Sequence, residues 1–88
     1  MRIVRIVYTT HFVRALRTLD PDLKDLIRER TLLFQTNCFD PKLKTHKLKG
    51  RLKDYWSYSL THSHRVLFQF MSKDAVGFID VGDHSIYK

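Results

Sequence analysis

Apolar and polar positions change period twice along this chain, and the changes divide it into a strand, two helices and a set of further strands. Ile3, Val4, Ile6 and Val7 form a short β-branched run ending at Tyr8, which reads as a strand buried on both faces. Phe12, Val13, Leu16 and Leu19 then fall on one stripe of a helix, with Thr9 or Thr10 able to cap its start. Asp20-Pro21 stops that helix and begins another, because proline suits the first helical position and aspartate the cap before it. Leu23, Leu26, Ile27, Arg30, Leu33 and Phe34 repeat at helical spacing. This second helix ends near Asn37, ahead of a break at Asp40-Pro41. The short connection predicts an antiparallel helix pair. His11, in the first helical turn, reads as a surface or capping residue.

From Lys42 the period becomes two. Lys47, Lys49, Arg51 and Lys53 alternate with Leu48, Gly50 and Leu52, so an extended segment would place charge on one side and leucine on the other. Tyr55 to Leu60 follows, with Trp56, Tyr58 and Leu60 on one face and turned toward the helices. Thr61-His62-Ser63 is a turn. Arg65 to Met71 is a strand with Val66, Phe68 and Phe70 on one face. Ser72-Lys73-Asp74 turns again, and Val76 to Val81 is the last strand. Gly82-Asp83 ends it, leaving His84, Ile86 and Tyr87 on a short tail. Short links between successive strands predict an antiparallel meander. The expected architecture is α+β: a small, mostly antiparallel sheet in the order strand, helix, helix, strand, strand, strand, with the helical hairpin on one face. The first strand is expected inside that sheet, with its neighbour left open.

At 88 residues the chain is read as a single domain, 1–88, with one thin core. Its formal net charge of +7 favours an anionic partner. Residues 42–53 carry six basic residues and no carboxylate, whereas residues 54–88 carry three basic and four acidic ones. Charge held this close repels itself unless a partner neutralises it, which favours an anion site over a solvated loop. Cys38 is the only cysteine, so no intrachain disulfide and no multi-cysteine zinc site can form, as suits a reducing cytoplasm. No run is long enough for a signal peptide or a membrane span. No partner membrane is expected.

His46 lies inside the basic run, where a neutral imidazole can take a proton near neutral pH. His84 lies beside the end of the last strand. His62 and His64 could chelate as His-x-His, but no carboxylate or cysteine stands near, and a turn role suits them better. Most aromatics at strand spacing belong to the core, whereas Tyr87, near the terminus, is placed to stack on a base. The chain has no glycine-rich phosphate loop, no paired catalytic carboxylates and no Ser/His/Asp set.

His46, Leu48 and Gly50 form H-x-L-x-G. Tyr55 to Ser57 reads YWS, His64 to Phe68 is HR followed by apolar residues, and the chain ends G-x-H…Y at Gly82, His84 and Tyr87. In this order and spacing the motifs resemble the RelE/ParE toxin superfamily, closest to the RelE, YoeB and YafQ type of ribosome-dependent mRNA interferase. The resemblance covers nearly the whole chain. It implies the toxin of a type II toxin–antitoxin system, a metal-independent endoribonuclease that needs no cofactor and cuts mRNA on the ribosome. Its partners would be the ribosome, mRNA and a cognate antitoxin, and the free protein would be a monomer or homodimer. By the same resemblance His46 matches a catalytic histidine or glutamate, Arg65 a phosphate-binding arginine and His84 a C-terminal catalytic histidine, while Lys49 falls in a segment of catalytic lysines. Lys47, Arg51, Lys53 and Tyr87 are expected to bind RNA. Ser59 and Ser63 depart from YafQ, which has a histidine and an aspartate there. Two other readings remain: a ParE-like gyrase inhibitor that cleaves nothing, and a non-catalytic RNA-binding or degenerate toxin.

Overall fold

A computed structural model describes residues 1–87. The strands are β1 (Arg5–Tyr8), β2 (His46–Lys47), β3 (Trp56–Ser59), β4 (Arg65–Ser72) and β5 (Ala75–Gly82), and the helices are α1 (Thr10–Arg17) and α2 (Pro21–Thr36). They form one sheet in the order β1-β5-β4-β3-β2. The pairs β2–β3, β3–β4 and β4–β5 are antiparallel, whereas β1 runs parallel to β5 at the opposite edge.

Local chemistry sets the helix boundaries. Thr9 Oγ1 accepts the Phe12 N–H at 3.1 Å, capping α1, and donates to the Phe78 carbonyl at 2.9 Å. One hydroxyl thus starts the helix and ties it to β5. Asp20 Oδ1 accepts the Leu23 N–H at 2.9 Å, with Pro21 at the first position of α2. The helix ends at Asn37, whose extended backbone (φ −158°) turns the chain back toward the sheet.

The core lies between the helix pair and one sheet face. Phe34 of α2 is fully buried, with its ring centroid 4.9 Å from Phe68, 5.2 Å from Tyr58 and 5.4 Å from Phe78. Phe12 of α1 joins at 5.3 Å from Phe78. Removing a ring from such a cluster costs about 3–5 kcal/mol. The faces assigned to Tyr58, Val66 and Phe68 by strand spacing are the faces that meet these helices, and the α+β architecture is as expected.

Three local expectations change. The first strand is not buried on both faces: it is an edge strand, Tyr8 is 50% exposed, and the buried Ile3 precedes it. Parallel pairing with a strand some seventy residues away is a long-range event that β-branched composition does not report. The segment from Lys47 to Lys53 is not extended. After the two-residue β2 it enters a 3-10 turn at Gly50–Leu52, and Gly50 takes φ +67°, which glycine adopts without strain. The tail is also structured, because His84–Tyr87 forms a 3-10 turn.

Candidate active site

The site lies on the sheet face away from the helices. Register places His46 opposite Ser57 and Ser57 opposite Leu67. The next row on that face holds Ser59 opposite Arg65 and Arg65 opposite Gly82. Rows two residues apart along a strand are separated by about 7 Å. One sheet face therefore carries His46 and Arg65 on neighbouring rows, and His84 follows Gly82 by two residues.

His46 is exposed, but its ring is held at both nitrogens. Nδ1 lies 3.1 Å from the Lys44 carbonyl, and Nε2 lies 3.5 Å from Ser57 Oγ. A carbonyl only accepts, so Nδ1 carries a proton, and in the neutral ring Nε2 is the proton acceptor. Lys44 is the one non-glycine residue with positive φ among the described residues (φ 50°), which is uncommon for a side-chain-bearing residue. That backbone turn presents its carbonyl to His46.

Arg65 is half-buried at the start of β4. Its Nη1 donates to the carbonyls of Thr61 (2.7 Å) and His64 (3.0 Å), which fixes the guanidinium against the β3–β4 turn. Among the described residues no carboxylate pairs with it, so its charge remains available to an anion.

The C-terminal turn lies over this face. Tyr87 donates from its hydroxyl to Ser57 Oγ at 3.2 Å, and its ring centroid is 6.2 Å from that of His84. Tyr87 thereby neighbours His84 through its ring and reaches Ser57, the partner of His46, through its hydroxyl. At the head of the turn Asp83 accepts the Ser85 N–H at 2.9 Å. That backbone bond first, and the Ser85 hydroxyl second, hold the Asp83 carboxyl below its usual range, with His64 and His84 nearby adding to the effect.

The structure thus links His46 to Tyr87 through Ser57 and sets Arg65 and His84 beside them. Lys47 is exposed on β2, opposite Trp56. Lys49, Arg51 and Lys53 are exposed on the loop and 3-10 turn that follow, and none makes a side-chain hydrogen bond among the described residues. They form an exposed basic rim. Ser57 is the residue that strand spacing did not single out. Its position next to Tyr58 carried the signal, since a neighbour of a core residue must face the other side of the sheet. A surface hollow lies elsewhere, between β1, α1 and α2, lined by Tyr8, Phe12, Leu16, Ile27 and Leu32 among others, and contains none of these groups. No group of three metal-binding side chains occurs among the described residues, and no described helix is long and apolar enough to cross a membrane.

A two-helix layer lies on one sheet face, and the other face carries His46 and Arg65; together they define a small α+β protein. Solved structures of similar shape include toxins. A YoeB/ParE toxin from Agrobacterium tumefaciens superposes with a TM-score of 0.76 at 21% identity, covering 92% of this chain and 99% of that one. RelE in the RelB–RelE antitoxin–toxin complex from Methanococcus jannaschii gives 0.73 at 22% identity, covering 92% and 94%. The E. coli DinJ–YafQ toxin–antitoxin complex gives 0.72 at 16% identity, covering 98% and 97%. No family description and no curated protein matches the chain by sequence. At such identities the likeness is one of fold: this chain has the RelE/YoeB/YafQ toxin fold along nearly its whole length.

Proposed function

We propose that this chain is the toxin of a toxin–antitoxin pair and acts as a ribosome-dependent mRNA endoribonuclease. The observation that carries the reading is His46, held with Nε2 as proton acceptor on the same sheet face as Arg65. A gyrase inhibitor needs no proton carrier, whereas RNA cleavage by the 2′-hydroxyl needs two. His46 Nε2 takes the proton of a ribose 2′-OH, and that oxygen attacks the adjacent phosphorus. The bond from phosphorus to the 5′ oxygen breaks, and the imidazolium of His84 gives that oxygen a proton. The products are a 2′,3′-cyclic phosphate and a 5′-hydroxyl. Arg65, with Lys49, stabilises the extra negative charge of the transition state. Each step has a protein group, so the mechanism is metal-independent.

Arg51 and Lys53 hold the RNA backbone, Lys47 adds charge from the other face of the β2 edge, beside Trp56, and the Tyr87 ring stacks on a base. A chain this small has little room for an RNA groove of its own. The ribosome supplies alignment, which is a large part of any rate enhancement. The antitoxin neutralises this basic face, as charge complementarity requires, in keeping with the toxin–antitoxin complexes whose toxins share the fold.

Translation on purified ribosomes with mapping of mRNA ends tests the proposal. Cuts are expected in translated mRNA and not in the same RNA alone. Efficient cutting of naked RNA would remove the ribosome from the mechanism. Uncut mRNA together with inhibited DNA supercoiling would replace the reading with the gyrase one.

A further inference from the structure

Apart from Tyr58 with its buried phenol, Ser57 is the one polar residue buried in the described chain, with no exposed surface. A buried hydroxyl without partners costs free energy, so such a residue requires an account of its hydrogen bonds. The Ser57 hydroxyl meets two side chains: His46 Nε2, eleven positions earlier, and the Tyr87 hydroxyl, thirty positions later. Its setting depends on β2 on one side and on the C-terminal turn on the other.

We propose that Ser57 is a positioning residue that couples His46 to Tyr87. The inference rests on the nuclease reading for its consequence, though not for its geometry. The direction of the line follows from its ends. Nδ1 of His46 donates to the Lys44 carbonyl, so Nε2 accepts, and Ser57 donates to it. Ser57 Oγ in turn accepts from Tyr87. The sequence is Tyr87 O–H to Ser57 O–H to Nε2, so that Ser57 both gives and receives. Polarisation along such a chain strengthens its members.

A serine serves both protonation states of the imidazole. It donates to the neutral ring. When Nε2 has taken the substrate proton, the hydroxyl rotates and accepts from Nε2–H with the lone pair that Tyr87 leaves free. The Ser57–Nε2 contact at 3.5 Å is long and is readily given up to a 2′-OH arriving at about 2.6–3.2 Å. Ser57 therefore marks where the attacking hydroxyl must come without competing strongly for it. Tyr87 then acts at two points, since its ring faces the RNA and its hydroxyl sets the far end of the line.

Two measurements test this. In the free protein, the His46 ring nitrogens are followed by 15N NMR. Ser57→Ala should move the Nε2 resonance, and Tyr87→Phe, which removes no direct contact of His46, should move it in the same direction by less. Ser57→Thr restores the hydroxyl and should return the resonance toward the wild-type position. An Nε2 resonance unchanged in Tyr87→Phe overturns the coupling. This arm uses no RNA, so it is decided separately from the nuclease reading. In single-turnover cleavage, Tyr87→Phe keeps the stacking ring and should slow the wild-type protein by about 3- to 10-fold, the worth of one hydrogen bond. The same change in a Ser57→Ala background should add nothing. Equal slowing in both backgrounds would mean that the Tyr87 hydroxyl acts by another route and would refute the line.

Discussion

Ile86 stands so close over Gly82 that a Cβ added to the glycine would meet Ile86 Cγ2 at 2.9 Å. The absence of a side chain at Gly82 is what lets the last turn fold back onto the sheet, bringing Tyr87 to Ser57 and His84 beside the Arg65 row. Gly82→Ala should lift this turn. Amide exchange at residues 83–87 should speed up, while the core around Phe34 keeps its protection. Displacement by an ångström can cost about 10²-fold in rate, so cleavage should fall by roughly that factor. Wild-type exchange and wild-type cleavage in this variant would show that the turn does not need the close approach.

Tyr58 presents a separate question of stability. Its ring stacks on Phe34 at 5.2 Å, yet its fully buried hydroxyl has no hydrogen-bond partner among the described residues; Thr31 approaches it without bonding geometry. Burial pushes the phenol pKa far up. The unfolded chain loses that proton above about pH 10, while the folded chain keeps it. The folded state then binds more protons, so stability falls as pH rises past that point, by up to about 1.4 kcal/mol per pH unit. Tyr58→Phe keeps the stack and removes the hydroxyl. It should gain about 1 kcal/mol at neutral pH and show a shallower alkaline loss in denaturant titrations. A less stable variant at pH 7 would show that the hydroxyl is satisfied after all.

What the sequence disclosed follows the range of the interaction concerned. Thr9, Asp20 and Pro21 act within one helical turn, and their caps were legible as local chemistry. The core faces of Tyr58, Val66 and Phe68 followed from period two. The pairing of β1 with β5 was not legible, because it is decided by how the helix hairpin returns the chain. Lys47 to Lys53 misled for a physical reason: alternation is compatible with a strand, but Gly50 at positive φ interrupts it. Within the candidate site, His46 and Arg65 could be placed by motif and spacing. Ser57 could not, since a serine between two aromatics in a strand reads as solvent-facing until the C-terminal turn is known to cover it.

Arg65 and Lys53 should separate charge at the reaction centre from charge that only binds. Arg65 is held by two carbonyls of the preceding turn, whereas Lys53 is exposed and unbonded among the described residues. Arg65→Ala should slow single-turnover cleavage by about 10²–10³-fold, with Arg65→Lys recovering part of it, since lysine lacks the fork that reaches both carbonyls and phosphate. Lys53→Ala should leave the saturated rate unchanged, weaken binding, and lower the salt slope by about one. A Lys53→Ala variant that is slow at saturation would move that lysine into the reaction centre.

The two histidines provide the sharpest test of mechanism. His46 is held at Nδ1 by the Lys44 carbonyl with Ser57 near Nε2, while His84 sits on a turn held to the sheet through Tyr87. Neither carries the bulk charge, so His46→Ala and His84→Ala should each bind ribosomes nearly as well as the wild type. Each should slow single-turnover cleavage by about 10²–10⁴-fold, the usual loss for a general acid or base. Their roles differ in a way that a substrate can reveal. An RNA with a 5′-thio leaving group needs no acid, because a thiolate leaves without a proton. On that substrate His84→Ala should recover most of its rate, and His46→Ala, still lacking a base for the 2′-hydroxyl, should not. Recovery by His46→Ala instead would reverse the two assignments. Wild-type rates in both variants on the natural substrate would remove acid–base catalysis by these histidines and leave the basic loop with Arg65 as the only supported part of the site.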